Sequence, residues 1–291
     1  MLRLLALLLL AAPTLAAQTA PEPPPDERRP PLFLLEDDDS RVYLLGSIHA
    51  LPADALPLPP ALEAAYADAE VVAFEADLDS LEILAPVLLQ AAMDEETLAD
   101  LLDDDQKARV AAYTAALGLP AAALDSFEPW MASTTLTILA LQRAGLADES
   151  VDAYFTARAR EDGKARVAFE SGLFQIALLD DLPTADQVHL LESGLAGGPD
   201  STAATMREMV ALWSAGEDEA LAALMTQSME GSETLHDAML TRRNAAWVPQ
   251  IEALLAREGE DALVVVGAGH LVGAGSVVEL LRAAGHTVTR Q

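Results

Sequence analysis

The chain has no cysteine. Disulfides, a thiol nucleophile and lipid attachment through an N-terminal Cys are thereby excluded, and stability has to come from a packed core. Positive charge is scarce too. Only 17 Lys and Arg stand against 47 Asp and Glu, a formal net charge of −30. Such a surface repels nucleic-acid phosphates and anionic headgroups, so neither is an expected partner. Much of the acid lies in runs such as Glu36-Asp37-Asp38-Asp39 and Asp103-Asp104-Asp105, read as solvated surface. Past the N-terminus no apolar run approaches the ~20 residues of a membrane span. The HExxH, Walker, G-x-S-x-G and EF-hand patterns are absent.

The N-terminus reads as a targeting segment. Arg3 supplies a positive start, Leu4 to Ala12 is continuously apolar, and the small residues Ala16 and Ala17 suit cleavage. A signal peptide at 1–17 implies a periplasmic or secreted protein with no stable membrane anchor after cleavage. Residues 18–31, with the run PEPPPDERRPP, read as a proline-rich linker that does not pack. The remainder, 32–291, is expected to be one domain.

Short apolar runs at 42–45, 71–74, 166–169, 263–266 and 287–289 predict strands. Pro60 predicts the first turn of a helix to about residue 69. Apolar spacings of three and four predict helices within 81–93, 106–117 and 130–144, then again across 173–257, and a last helix at 275–284. The fold class expected is α/β, a mostly parallel sheet covered by helices, with a large helical insertion between the two central strands.

Four of these strands end in ionisable residues. The first runs into Gly46-Ser47-Ile48-His49 and the last long one into Gly267-Ala268-Gly269-His270. Between them Val72-Ala73-Phe74-Glu75 recurs letter for letter as Val167-Ala168-Phe169-Glu170. Ligands of open parallel sheets bind beyond the carboxyl ends of the strands, so two imidazoles and two carboxylates would meet at one edge. That set is a plausible shell for a divalent ion such as Zn, Mn, Co or Fe, and an open coordination position would make a water acidic enough to attack. His49, His270, Glu75 and Glu170 are the candidate metal ligands, with one Glu as the alternative general base.

Arg243, in Arg242-Arg243-Asn244, either binds a substrate carboxylate or orients Glu75 or Glu170, or else is a surface arginine paired with nearby acids. Gln175 and Asp77 are within reach of the same edge, although a capping or turn role suits Asp77 better. Asp152 and Tyr154 read as packing and capping residues. Met206, Met209, Trp213, Met225 and Met229 read as core, and His189, His236 and His286 as surface or strand-end residues.

These blocks resemble the TraB/GumN family, to which the animal Tiki proteins are related. The resemblance runs from LLGSIHALPADALPLPPALEAAYADAEVVAFEADLD through VDAYFTARAREDGKARVAFESGLFQIALLDDLP and RRNAAWVPQIEALL to VVVGAGHLVGAGSVVELLRAAGHTVTR. It implies an erythromycin-esterase-like α/β fold with an active site at His49, Glu75, Glu170, Arg243 and His270. Tiki proteins are Mn- or Co-dependent proteases, so the resemblance implies a metal-dependent, peptidase-like hydrolase loaded with Mn, Co or Zn. Two rivals stand beside it: a metal-free esterase-like hydrolase in which a His activates water, and a non-catalytic protein binding a peptide or small molecule.

Overall fold

A computed structural model describes residues 24, 27–52, 55–77, 83–93, 97–146 and 150–291. The expected signal peptide lies outside these residues. Six strands form one sheet, in the spatial order β4-β3-β5-β2-β1-β6. They are β1 (Leu32–Glu36), β2 (Arg41–Ser47), β3 (Val71–Ala76), β4 (Ala165–Glu170), β5 (Ala262–Gly267) and β6 (Val288–Arg290). β4, β3, β5 and β2 run parallel, whereas β1 pairs antiparallel with both β2 and β6.

The sheet is buried on both faces because its central strands carry the apolar runs Val42–Leu45, Val71–Phe74 and Leu263–Val266. Along β2, Val42 and Leu44 pack on one side with Trp247, Ile251 and Leu281. Tyr43 and Leu45 pack on the other with Tyr66, Phe155 and Trp213. Each such Leu or Val contributes about 1.5–3 kcal/mol by leaving water. The helical insertion follows β3 and includes Asp104–Ala116, Pro129–Arg143 and Val151–Glu161 before the chain returns at β4. A second helical stretch, from Gly172–Asp180 to Arg242–Leu255, separates β4 from β5. Among the described residues no helix is long and apolar enough to cross a membrane.

Two expectations need correction. No strand was expected at 32–36, yet β1 forms a hairpin with β2 through the acidic turn Asp37–Ser40, where Asp37 Oδ1 accepts from Ser40 N. The end of the proline-rich segment is also not a loose linker. Arg28 is buried and its guanidinium donates to Ala55 O, Arg29 N donates to Ser214 O, and Pro31 O accepts from Gly46 N. These three bonds offset the entropy of ordering a short stretch that proline has already stiffened.

Candidate functional site

The carboxyl ends of β2, β3, β4 and β5 deliver His49, Glu75, Glu170 and His270 to one edge of the sheet, and Arg243 rises to meet them from the helix Arg242–Leu255. A side chain at either of the glycines that open the His motifs would crowd its neighbours. A Cβ at Gly46 would lie 3.0 Å from Ala268 Cα and 3.0 Å from Pro31 Cβ. A Cβ at Gly267 would press on Glu75 Oε1 at 3.1 Å and His49 Nε2 at 3.3 Å. The two motifs therefore pack back to back, and their close approach places the side chains.

Arg243 organises the cluster. A guanidinium has five N–H donors, and every one is used. Nε donates to Glu170 Oε1 at 2.9 Å, Nη2 to Glu75 Oε2 at 2.7 Å and Glu170 Oε2 at 3.0 Å, and Nη1 to Met239 O at 3.1 Å and His270 Nε2 at 3.1 Å. Met239 lies in a π-helical turn, Asp237–Thr241, directly before the helix, which is what aims its carbonyl at the arginine. The guanidinium also lies over the Trp247 ring, 4.8 Å from its centroid.

The network fixes protonation states without any hydrogen being seen. Because Arg243 only donates, His270 Nε2 must accept, so the ring proton sits on Nδ1 and is donated to Asn244 Oδ1 at 2.6 Å. Asn244 Nδ2 in turn donates to Gly275 O at 2.9 Å, which sets its amide orientation. His270 is neutral with both nitrogens engaged. Burial, with the Arg243 charge beside it, pushes its pKa down to about 3.

His49 differs. Its Nδ1 lies 2.8 Å from Asp152 Oδ2, and Asp152 is held from the other side by Ser47 Oγ at 2.8 Å. Among the described residues its Nε2 has no hydrogen-bond partner, and its side chain is 18% exposed against 6% for His270. Burial disfavours the His49 cation, but Asp152 and then Glu75 outweigh it and push the pKa up to about 9. Glu75 is the mirror case. Burial alone would raise it; Arg243, the two histidines and the Gly267 N–H, 2.6 Å from Oε1, bring it down to about 2.

Glu170 is brought to the edge but not to the chemistry. Besides Arg243, its Oε1 accepts from Trp247 Nε1 at 2.9 Å and its Oε2 from Gln175 Nε2. Both oxygens are thus taken up in holding Arg243. This bears on the metal shell expected from His49, His270, Glu75 and Glu170. Glu170 and His270 Nε2 have their lone pairs engaged, and the cation neutralising the two carboxylates is the guanidinium itself. Among the described residues no group of three or more His, Asp or Glu side chains is placed to hold a metal ion. The residues as arranged do not fit the four-ligand shell.

A cavity of about 60 Å³ opens onto His49, Glu75 and His270, room for about two waters. Its far wall is apolar and flexible, with Met206, Met209, Met225 and Met239 from three helical segments. Asp77 lines a separate pocket with Phe74 and Thr156, and Tyr154 bonds to Glu63. Asp152, Ser47 and Asn244 are the site residues the sequence did not single out. They sit on a strand end and on helices whose patterns carry no mark of their partners.

Known proteins agree with this reading of the chain only at the level of family. The model of the TraB/PrgY/gumN family matches residues 31–290. The uncharacterised protein YbaP of Escherichia coli (strain K12) is 25% identical over 241 residues, covering 82% of this chain and 87% of YbaP. YbaP of Shigella flexneri matches with the same identity and coverage. No solved structure matches.

Proposed function

The chain belongs to the TraB/PrgY/gumN family, and from that premise we propose that it is an exported hydrolase in which His49, backed by Asp152, carries the proton, with peptide bonds the favoured substrate. One observation carries the reading: among the described residues His49 Nε2 is the one imidazole nitrogen of the cluster without a hydrogen-bond partner, and His49 lines the cavity while Asp152 fixes Nδ1.

The chemistry follows from the residues' own states. Neutral His49 accepts a proton from a water as that water's oxygen bonds to the substrate carbonyl carbon. Asp152, with Glu75 on the cavity side, stabilises the imidazolium so formed. The same proton then passes to the leaving amine or alkoxide as its bond to carbon breaks. Arg243, Glu170, Trp247 and Gln175 act one step back. They hold Glu75 ionised and His270 neutral, so that the only mobile proton is on His49. The preference for peptide bonds rests on the resemblance to Tiki proteases, and export on the pattern of residues 1–17. No step in this reading passes through a metal.

The test is turnover by purified protein on peptide and ester libraries, with and without chelator and with Mn, Co or Zn added. Hydrolysis that persists in chelator, climbs with pH toward about 9 as His49 loses its proton, and disappears in His49→Ala is the expected result. Absence of turnover under every condition, or full activity in His49→Ala, would contradict it. Activity lost to chelator and restored by a metal would return the site to the metal-dependent mechanism.

A further inference from the structure

Gln175 is the one polar side chain at the buried positions of the helix Gly172–Asp180, where it lies with Ile176 and Leu179. A buried amide needs partners at both of its ends. One end is fixed. Glu170 Oε2 only accepts, so the atom it meets is Nε2, and Oε1 is turned away from that carboxylate. Among the described residues Oε1 has no hydrogen-bond partner. Gln175 lines the catalytic cavity, whereas its neighbour Phe174 lines the separate cleft beside Phe169 and Trp247. Other polar groups around the cavity are already committed. The Arg243 donors, the Ser47 hydroxyl and the Gly267 N–H are all spent on protein acceptors. A ligand that pairs Gln175 Oε1 therefore has to bring its own donor.

We propose that Gln175 is the residue that selects amides over esters, its Oε1 accepting the N–H of the peptide group that lies against His49. An ester in the same place turns the lone pairs of its bridging oxygen toward Oε1 and leaves a buried acceptor unpaired. Sites built to bond a substrate N–H discriminate strongly against an analogue that lacks it. The methionine wall adapts to the apolar side chains on either side of that group. Calling the group the scissile one rests on the hydrolase reading; its selection by Gln175 does not. On that reading the nitrogen keeps the hydrogen bonded to Gln175, receives a second from His49 as its bond to carbon breaks, and departs as a neutral amine.

The probes are a hexapeptide of alanine with two central leucines and the depsipeptide in which oxygen replaces the N–H between those leucines. Calorimetry on His49→Ala protein reads their binding without turnover. The peptide is expected to bind at least about tenfold more tightly than the depsipeptide, and that ratio to fall within about twofold of unity when Gln175→Met is added. Each ratio is taken within one protein, so loss of folded material cancels. Trp247→Phe removes another donor to Glu170 from a residue outside the cavity wall, and is expected to leave the ratio unchanged. Equal affinity for the two probes, binding of neither, a ratio that survives Gln175→Met, or one that collapses equally in Trp247→Phe would overturn the proposal. Wild-type protein is then expected to cut the peptide between its leucines. If the peptide is preferred as stated but stays intact, the hydrolase reading fails and the selection by Gln175 stands.

Discussion

Arg242 and Arg243 are neighbours with opposite fates. Arg242 is 70% exposed and pairs with Asp237 at the surface, whereas Arg243 is 5% exposed and spends all its donors on the site. Surface pairs contribute about 0–1 kcal/mol, and removing one partner of a buried pair costs about 3–5 kcal/mol because the other charge is left stranded. Urea denaturation should therefore find Arg243→Ala destabilised by about 3–5 kcal/mol and Arg242→Ala by less than about 1 kcal/mol; equal effects would refute the division. Asp152→Asn should leave the fold intact while lowering the His49 pKa, and a kinetic assay should show turnover reduced about 100-fold or more. His49, Glu75, Glu170 and His270 were legible in the sequence because each is an ionisable residue following an apolar strand run, whereas Arg243, on a helix, was marked for the site by the family resemblance. Their division of labour was not. Glu75 and Glu170 close identical tetrapeptides, and only the positions of Trp247 and Gln175 in space make one a charged wall of the cavity and the other a brace.

At the scale of elements, the parallel strands and the helical insertion could be read from apolar runs and three-to-four spacing. β1 could not, since Leu32–Leu35 sits between proline and an acidic run that mask its alternation. Nor could the contact between the two His motifs, which is a matter of approach and not of pattern. Gly46 is where that contact is tightest. Its carbonyl accepts from Trp213 Nε1 at 2.7 Å, and its missing side chain lets the turn Ala268–His270 lie against β2. Gly46→Ala is expected to cost about 1–3 kcal/mol through forced backbone movement and to lower turnover more than stability alone explains. Thermal melts and a steady-state assay on the same preparation measure both. Full activity in that variant would show that the motif spacing does not depend on this approach.

Across the whole molecule, the site couples stability to pH. The folded state holds His49 protonated above the ordinary imidazole range, so its contribution is present below about pH 6.5 and is lost as pH rises toward about 9. His270 works in the opposite direction. Kept neutral when folded, it favours the unfolded chain as pH falls from about 6.5 toward about 3. Glu75 adds a loss as pH falls from the usual carboxylate range toward about 2. Melting temperature is accordingly expected to peak near pH 6.5, with His270→Gln shallowing the acid side. A melting profile whose acid limb is the same in that variant would contradict the assignment. The hydrolase reading thus asks the protein to work on the alkaline side of its own stability maximum. NMR titration of the imidazoles in the purified protein reaches the centre of the account, since five histidines are few enough to assign by substitution. His49 is predicted to titrate near 9 and His270 to remain neutral down to about 3. Ordinary titration of both near 6.5 would mean that Arg243 and Asp152 do not divide the two imidazoles as described.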